Sequence, residues 1–250
     1  MNETLKTIHS LRSVHGGFST TEVSSEDLQT VLGASVRAAS ASLRQSYSIV
    51  VVEDRGLMKE VAQYEASKCL VYCVDFTRIS DAFARLGYEA TPQTILSFMA
   101  AAVDTTLAAQ NAALAAASLG IDSLFTNGIH RAPLDLVYEK LMLPRESCFP
   151  LIALFLGYAV AREGKPKGRY IGPGLVHFGY YRRLSEDQVH EMIGAYDSPA
   201  NDLGLTQEWA SAGMDHYLDW LHKRDATRVP GSAKIQTVQD ALVRASFWAG

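Results

Sequence analysis

The sequence predicts an α+β protein with one main domain. Apolar runs at residues 47–53, 69–75 and 151–158 have the length and the β-branched or aromatic content of buried strands. Around them, apolar residues recur at helical spacing, and the run of small residues at 91–119 is too long for a strand. Strands and helices mixed in this way predict a central sheet flanked by helices.

The N-terminal elements are short. An amphipathic helix is predicted at residues 3–10 and a second at 25–38, where Ser24 and Asp27 have the spacing of a capping box. Residues 40–46, SASLRQS, are small and polar, and they predict a loop. A further helix is predicted between the first two strands.

The longest predicted element is a helix that begins at Thr91 and Pro92, which suit the cap and the first turn, and that ends at Leu119 before Gly120. It contains about 28 residues and spans roughly 40 Å. The stretch AAVDTTLAAQNAALAAASLG carries small side chains on nearly every face, which predicts burial on all sides. A second subunit is expected to cover part of it; the alternative is a central helix within a monomer.

The remaining elements follow in order. A short helix is predicted at residues 133–142, and residues 161–183, rich in Lys, Arg, Gly and Pro, predict an extended irregular segment. Ser185 opens a capped helix with Gln188 at the capping-box position, and residues 208–225 predict another amphipathic helix.

The composition excludes several classes of protein. The net charge is −4 with a pI near 6.0, which gives no attraction to nucleic acid or to an anionic membrane. The longest weakly polar run is broken by Asp104 and Gln110, so no membrane span is predicted. The first thirty residues show no basic segment followed by an apolar one, and we expect a cytoplasmic protein.

The three cysteines, Cys69, Cys73 and Cys148, form an odd and sparse set that predicts reduced thiols. Cys69 and Cys73 belong to a predicted strand, where buried free thiols are common. No set of four ligands with short spacings is present, so no metal site is predicted.

Four separate segments carry residues that suit the binding of a nucleotide cofactor. Each has a simpler interpretation as a turn, a strand-entry loop or a solvated basic loop. They become informative only if the fold brings guanidinium, hydroxyl and open backbone groups together around one ligand. The segments contain Arg12, Ser13 and His15; Ser40, Ala41 and Ser42; Phe125, Thr126, Asn127 and Gly128; and Lys167 with Arg169.

These segments, in this order around the long helix, resemble the nitroreductase superfamily. The similarity is to the group A oxygen-insensitive NAD(P)H nitroreductases and the related NADPH–flavin oxidoreductases. It covers roughly residues 8–225, and its most specific string is VDTxxxAQNAxxAAxSLG at residues 103–120. Weaker parallels are Arg12-Ser13-Val14, Lys167-Gly168-Arg169 and Leu175-Val176-His177.

The resemblance implies a nitroreductase-like fold, a domain-swapped-type homodimer and FMN bound between two subunits. It assigns residues 1–225 to the FMN-binding domain and residues 226–250 to a C-terminal extension, which in this superfamily often contacts the partner subunit. It places Arg12, Ser13, Lys167 and Arg169 at the phosphate or a nearby polar edge, and His15 near the pyrimidine. Residues 40–42 and 125–128 are expected beside the flavin ring, with Gln63 as a further contact.

The implied activity is hydride transfer from NADPH or NADH through bound FMN to nitroaromatic, quinone or related small-molecule acceptors by a ping-pong mechanism. No side chain is expected to act as a nucleophile, and His130 and Arg131 are candidate substrate contacts. The alternatives are a flavin reductase or dehalogenase-like member of the same superfamily, and a flavin-binding protein without turnover. Asp104 and Asn111 are expected to be hydrogen-bonding groups of the core or an interface.

Several residues depart from the family pattern. Leu11 is apolar where the family is often polar or basic, and His15 replaces a permanent cation with a group that titrates near neutrality. Asn127 stands where the family commonly has glycine. The segment 197–212 lacks the arginines that contact the NADPH 2′-phosphate in close relatives, which leaves the nicotinamide preference open.

Overall fold

The computed structural model describes residues 1–89, 93–161, 167–203, 208–227 and 231–248. The chain divides into a first unit, Met1–Glu163 with Ser232–Gly250, and a second unit, Gly164–Gly231. The predicted family domain at residues 1–225 and extension at 226–250 stay predictions. None of the described helices is both long and apolar enough to cross a membrane.

One antiparallel sheet forms the centre of the first unit, which confirms the predicted sheet. Its order is β1-β2-β4-β3, and all three strand pairs are antiparallel. The strands within the described residues are Tyr47–Val52 (β1), Lys68–Asp75 (β2), Asp122–Thr126 (β3) and Cys148–Gly157 (β4).

Helices cover both faces of this sheet, as the apolar run in β2 predicts. Leu70 and Tyr72 of β2 pack with the helices Ser25–Ser35 and Ile95–Ser118, whereas Val71 and Cys73 pack on the opposite face with the helices Arg55–Ala62 and Leu134–Lys140 and with the C-terminal Phe247. Because successive side chains of a strand point to opposite faces, a strand that is covered on both faces is apolar along its middle, here between Lys68 and Asp75. The described helices are Glu3–Ser10 (α1), Ser25–Ser35 (α2), Arg55–Ala62 (α3), Thr77–Arg85 (α4), Ile95–Ser118 (α5), Leu134–Lys140 (α6), Glu186–Asp197 (α7), Glu208–Ser211 (α8), Tyr217–Thr227 (α9) and Ser232–Arg244 (α10).

The long helix α5 starts later than predicted. Thr91 and Pro92 lie outside the described residues, and Thr94 is the N-cap: its hydroxyl accepts a hydrogen bond from the Ser97 N–H, and the Ser97 hydroxyl accepts one from the Thr94 N–H. The chain thus offers two threonines as helix starts, and the one with a serine three residues later forms the reciprocal cap.

The prediction that α5 is covered on all sides, in part by a second subunit, stays a prediction, because this chain alone covers only one face of the helix. One face, which includes Ala108, Ala112 and Ala116, lies against the sheet and α2. Small side chains on this face let the backbones approach closely. The other face carries a stripe of larger apolar side chains that are 42–73% exposed: Leu96, Met99, Val103 and Leu107.

The single helix predicted at residues 208–225 is also wrong, because the chain breaks it into α8 and α9. Gly213 has φ +68°, a conformation that ends α8, and its N–H donates to the Ala210 carbonyl. The helix α9 then starts afresh at Tyr217, whose N–H donates to Asp197 at 2.8 Å. By contrast, the capping box predicted at Ser185 and Gln188 is confirmed.

The three cysteines are free and buried in the first unit, as predicted. Burial raises the pKa of the Cys69 thiol well above its ordinary value. Within the described residues no group of three or more His, Cys, Asp or Glu side chains could hold a metal ion.

Candidate functional site

The N-terminal segment reaches the start of β3. Ser13 forms a parallel bridge with Ser123, and the Val14 N–H donates to the Ser123 carbonyl at 3.0 Å. Arg12, half-buried, lines a cavity of about 160 Å³ together with Asp122, and its guanidinium makes no hydrogen bond or ion pair in the described part of the chain. His15 is exposed on the turn that follows. A cation and a hydroxyl are therefore available beside this strand.

The other end of β3 leads into the predicted segment 125–128. The Thr126 hydroxyl accepts hydrogen bonds from the Gly128 N–H at 3.0 Å and from the Arg131 guanidinium at 3.3 Å. Thr126 and Gly128 are buried, Phe125 is half-buried, and Asn127 is exposed. One strand thus connects the surroundings of Ser13 with this segment.

Gly128 lies against the end of α3. A β-carbon at this position would stand 1.9 Å from the Ala62 carbonyl oxygen, closer than any real contact, so only glycine fits. The next residue after Ala62 is Gln63, which is exposed and has φ +64°. The fold therefore brings Gln63 beside the segment 125–128, although more than sixty residues separate them in sequence.

His130 stands next to this segment, with its Nε2 2.8 Å from the Pro150 carbonyl oxygen and its ring 5.6 Å from that of Phe149. Because a carbonyl only accepts, Nε2 carries the proton. Burial lowers the pKa of His130, against the opposing effect of the Pro150 hydrogen bond, and the ring is neutral near pH 7. Arg131 is exposed, and its carbonyl accepts from Lys234 at 3.0 Å.

A cavity of about 550 Å³ opens beside Asn127 and His130. Most of its lining is aliphatic and comes from α5 and β4, so polar groups are few. A mostly apolar cavity with a few polar groups is the usual form of a site for a small planar ligand. The other lining residues are Ala102, Val103, Thr106, Leu107, Leu151 and Ile152.

Residues 40–42 are attached to α5 through Asp104. The Ser40 hydroxyl donates to Asp104 Oδ2 at 2.7 Å, and the Ala41 N–H donates to both carboxylate oxygens at 3.0 Å. The predicted loop contains a short 3-10 turn at Ala41–Leu43, in which Ser42 has φ +53°. Ser42 itself is exposed.

Lys167 and Arg169 belong to the second unit, where they form a tight turn. Lys167 Nζ is ion-paired with Asp202 at 2.5 Å, while the Arg169 guanidinium donates to the carbonyls of Lys167 and Gly168. The Gly168 N–H donates to the Asp202 carbonyl at 3.0 Å. Arg169 therefore has no carboxylate partner among the described residues.

Within the first unit, β3 connects Ser13 with the segment that meets Gln63 and His130, and α5 links that cavity to Ser40 and Ala41. The sequence did not single out Asp104 as part of this arrangement. The available signal was one acidic residue within a long apolar helix, which predicts only a hydrogen-bonding group, and that prediction is confirmed.

Comparisons with known proteins show the family of this chain. Residues 8–158 match the Nitroreductase family. The NADPH-flavin oxidoreductase of Vibrio harveyi is 30% identical over 243 residues, which cover 90% of this chain and 98% of that one. The oxygen-insensitive NADPH nitroreductase of Salmonella typhimurium is 29% identical over 217 residues, or 83% of this chain and 85% of that one.

Solved structures show the same fold. The structure of B. megaterium NfrA2 covers 100% of both chains with a TM-score of 0.82 at 22% identity, and NfrA1 nitroreductase from B. subtilis has a TM-score of 0.81 at 24% identity over 96% of this chain and 98% of that one. On the family match and the 30% identical relative, the chain belongs to the nitroreductase family.

Proposed function

We propose that this chain is an FMN-dependent oxidoreductase that uses NADPH or NADH to reduce nitroaromatic, quinone or related acceptors in a ping-pong cycle. The observation that carries the proposal is the match along almost the whole length of a relative named NADPH-flavin oxidoreductase. A relative named oxygen-insensitive NADPH nitroreductase adds the acceptor class. Bound FMN would supply the two-electron chemistry.

The donor set of the first unit fits a flavin nucleotide. Arg12 offers an uncommitted guanidinium and Ser13 a hydroxyl, and both groups suit phosphate oxygens. Lys167 and Arg169 are proposed to join them, and His15 to lie near the pyrimidine edge, where positive charge stabilises added electron density. Residues 40–42, Gln63 and the segment 125–128 are proposed to hold the ring.

The cavity beside Asn127 and His130 is proposed to receive the acceptor. Its mostly aliphatic lining suits the faces of an aromatic ring. His130 is neutral near pH 7, so it would contribute a hydrogen-bonding group without a charge. Arg131 at the surface is proposed to contact the substrate or the nicotinamide nucleotide.

A homodimer is part of the proposal, because the stripe formed by Leu96, Met99, Val103 and Leu107 leaves apolar surface exposed along α5. A continuous apolar patch of this kind marks an interaction site. We propose that a second copy of the chain covers it, and that the protein works in the cytoplasm, where buried free thiols remain reduced.

A spectrum of the purified protein tests the cofactor. The protein should be yellow, release about one FMN per chain on denaturation, and lose its flavin absorbance when NADPH or NADH is added without oxygen. A protein that stays colourless after incubation with FMN contradicts the proposal. A yellow protein that neither nicotinamide bleaches is a flavin-binding protein without turnover.

A second candidate, reduction of free flavin, is favoured by the printed names of two relatives, NADPH-flavin oxidoreductase and the FMN reductase (NADPH) of Bacillus subtilis, which is 29% identical over 212 residues. Reoxidation of the reduced enzyme separates the candidates. Faster reoxidation by a nitroaromatic than by free FMN supports the first, and the reverse order supports the second.

Arg12→Ala should weaken FMN binding by about 1.5–3 kcal/mol, the contribution of a charge-assisted hydrogen bond to phosphate. The dissociation constant is measured from the quenching of FMN fluorescence. Arg85→Ala, which removes an exposed arginine at the end of α4, is the matched control and should bind FMN like the wild type. If Arg12→Ala and Arg85→Ala bind FMN with equal affinity, the FMN phosphate does not bind at Arg12.

Leu96→Asp should convert the dimer to a monomer, since a carboxylate would enter the proposed interface. The change should not harm the helix itself, because acidic residues are favourable in a first helical turn. Light scattering after gel filtration measures the mass. Leu86→Asp is the control, because Leu86 is 70% exposed against 73% for Leu96 but lies at the end of α4. A wild-type monomer would contradict the proposed interface.

A further inference from the structure

The loop of residues 40–45 holds an unfavourable backbone conformation. Ser42, Leu43 and Gln45 all have positive φ, at 53°, 57° and 48°, which is costly for residues other than glycine. Leu43 is 88% exposed, so burial of its own side chain does not stabilise this shape. Contacts from other parts of the chain must therefore hold the loop.

Asp104 supplies these contacts at the start of the loop. It is 4% exposed, and its carboxylate accepts from the Ser40 hydroxyl and the Ala41 N–H. The Ser40 hydroxyl in turn accepts from the Gln45 N–H at 2.8 Å. One carboxylate thus fixes both ends of the loop, directly at Ala41 and through Ser40 at Gln45.

The partners of Asp104 are all neutral. No cation forms an ion pair with it in the part of the chain that the structure describes. A buried carboxylate is costly unless donors surround it, and here the donors are the loop itself. The loop conformation and the burial of Asp104 therefore depend on each other.

The far side of the loop has a separate attachment. The Arg78 guanidinium donates to the Gln45 carbonyl at 2.7 Å, and the Gln45 amide donates to the Val36 carbonyl at 3.2 Å. The same guanidinium also donates to the Arg44 carbonyl at 3.4 Å, so these bonds between exposed groups reach the loop at Arg44 and Gln45. They do not hold residues 40–42, which are held by Asp104.

We propose that Asp104 is a positioning residue, which holds residues 40–42 in the conformation that contacts the flavin. The inference rests on the proposed function for the identity of the ligand. The positioning itself is a property of the chain without cofactor, so the two can be tested apart.

The first test uses the protein without FMN. Arg44 lies exposed in the loop, so the rate of tryptic cleavage after Arg44, followed by mass spectrometry, reports how often the loop opens. Asp104→Ala should accelerate this cleavage about tenfold, by loss of bonds worth at least 1.4 kcal/mol. Asp104→Asn should cause a smaller acceleration, because its amide keeps an acceptor for Ala41 but can no longer accept from Ser40 as well.

Asn111→Ala is the matched control on the same helix. Asn111 donates to the Ala34 carbonyl at 3.3 Å and touches no part of the loop, so its loss weakens α5 packing without releasing residues 40–45. Its cleavage rate at Arg44 should equal that of the wild type. Equal rates in the Asp104 and Asn111 variants would overturn the proposal, and the graded Asn variant decides the matter if the Ala variant does not fold.

The second test measures FMN binding by fluorescence quenching. The dissociation constant should rise about tenfold in Asp104→Ala and less in Asp104→Asn, and remain unchanged in Asn111→Ala. Ser40→Ala combined with Asp104→Ala should bind no more weakly than the weaker single variant, since both remove the same contact. If the Asp104 variants are cleaved faster after Arg44 but bind FMN as tightly as the wild type, the loop does not contribute to flavin binding and that part of the proposal is overturned. If the wild-type protein does not bind FMN, the proposed function is overturned, but the cleavage result for Asp104 remains valid.

Discussion

Two carboxylates in this chain hold a loop to the core through a serine, and they do so in opposite surroundings. Glu22 accepts from the Ser67 hydroxyl at 2.6 Å, and that hydroxyl accepts from the Val23 N–H at 2.7 Å. Asp104 has the same relation to Ser40, whose hydroxyl accepts from the Gln45 N–H at 2.8 Å. The pattern of donors and acceptors is the same at both sites.

The difference lies in burial and charge. The Glu22 side chain is 56% exposed and has two cationic partners, Arg55 at 2.9 Å and Lys68 at 3.3 Å. Asp104 is 4% exposed and has neutral donors. The Glu22 carboxylate is largely hydrated and that of Asp104 is not, so we expect the site without ion pairs to be the more important for stability.

The largest effect should come from Asp104→Ala, which removes the acceptor of the Ser40 hydroxyl and of the Ala41 N–H. The free energy of unfolding should fall by about 2–4 kcal/mol, since each hydrogen bond to a charged group contributes about 1.5–3 kcal/mol. Urea denaturation measures it. If Asp104→Ala lowers the free energy of unfolding by less than Glu22→Ala does, the Glu22 site is the more important for stability and the comparison is wrong.

A smaller effect should follow from the titration of Glu22. The hydrogen bond from Ser67, followed by that from Arg55, lowers the pKa of this carboxyl from 4.5 to about 2. Its contribution to stability is therefore present above about pH 4.5 and is lost as the pH falls towards 2. Because the side chain is more than half exposed, solvent screening limits the contribution to about 1 kcal/mol or less.

Glu22→Gln isolates this contribution. Urea midpoints of the variant and the wild type, measured between pH 2 and pH 6, should differ most at the upper end and converge at the lower end. A constant difference across this range would show that Glu22 acts through packing and not through its charge.

The smallest effect should come from Lys68→Met. Lys68 is only 10% exposed, and burial lowers its pKa, but the hydrogen bonds to Glu53 and Glu22 outweigh burial and raise it. Methionine keeps the aliphatic stem, and both glutamates remain hydrated after the change. We expect a change in unfolding free energy of less than about 1 kcal/mol by thermal or urea denaturation. If the free energy of unfolding falls by several kcal/mol, the ion pairs of Lys68 stabilise the fold more than the comparison of the Glu22 and Asp104 sites predicts.

The same contrast explains how much could be predicted from the sequence. The capping box of Ser185 and Gln188 was visible because its partners stand three residues apart. The pair formed by Ser40 and Asp104 spans 64 residues, and no local pattern marks it. The helix-flanked sheet, strands β1, β2 and β4, and the family followed from periodicity and from the string in α5, whereas β3 was not predicted as a strand.

Two predictions failed where local signals competed. Thr91 with Pro92 and Thr94 with Ser97 both suit the start of α5, and the reciprocal hydrogen bonds of the second pair decide the observed start. In residues 208–225 the apolar spacing predicted one continuous helix in spite of Gly213. The left-handed backbone of Gly213 ends α8. The exposed stripe of α5 could not be predicted, because a pattern of small residues does not tell which face a neighbour covers.

The contact of Gly128 with the Ala62 carbonyl has a consequence for protein engineering. Because Gly128 has no side chain, α3 and the segment after β3 can lie in direct contact. Even the methyl group of an alanine would drive them apart. Libraries that aim to change acceptor range should keep this glycine and vary Asn127, which is exposed and lines the open cavity.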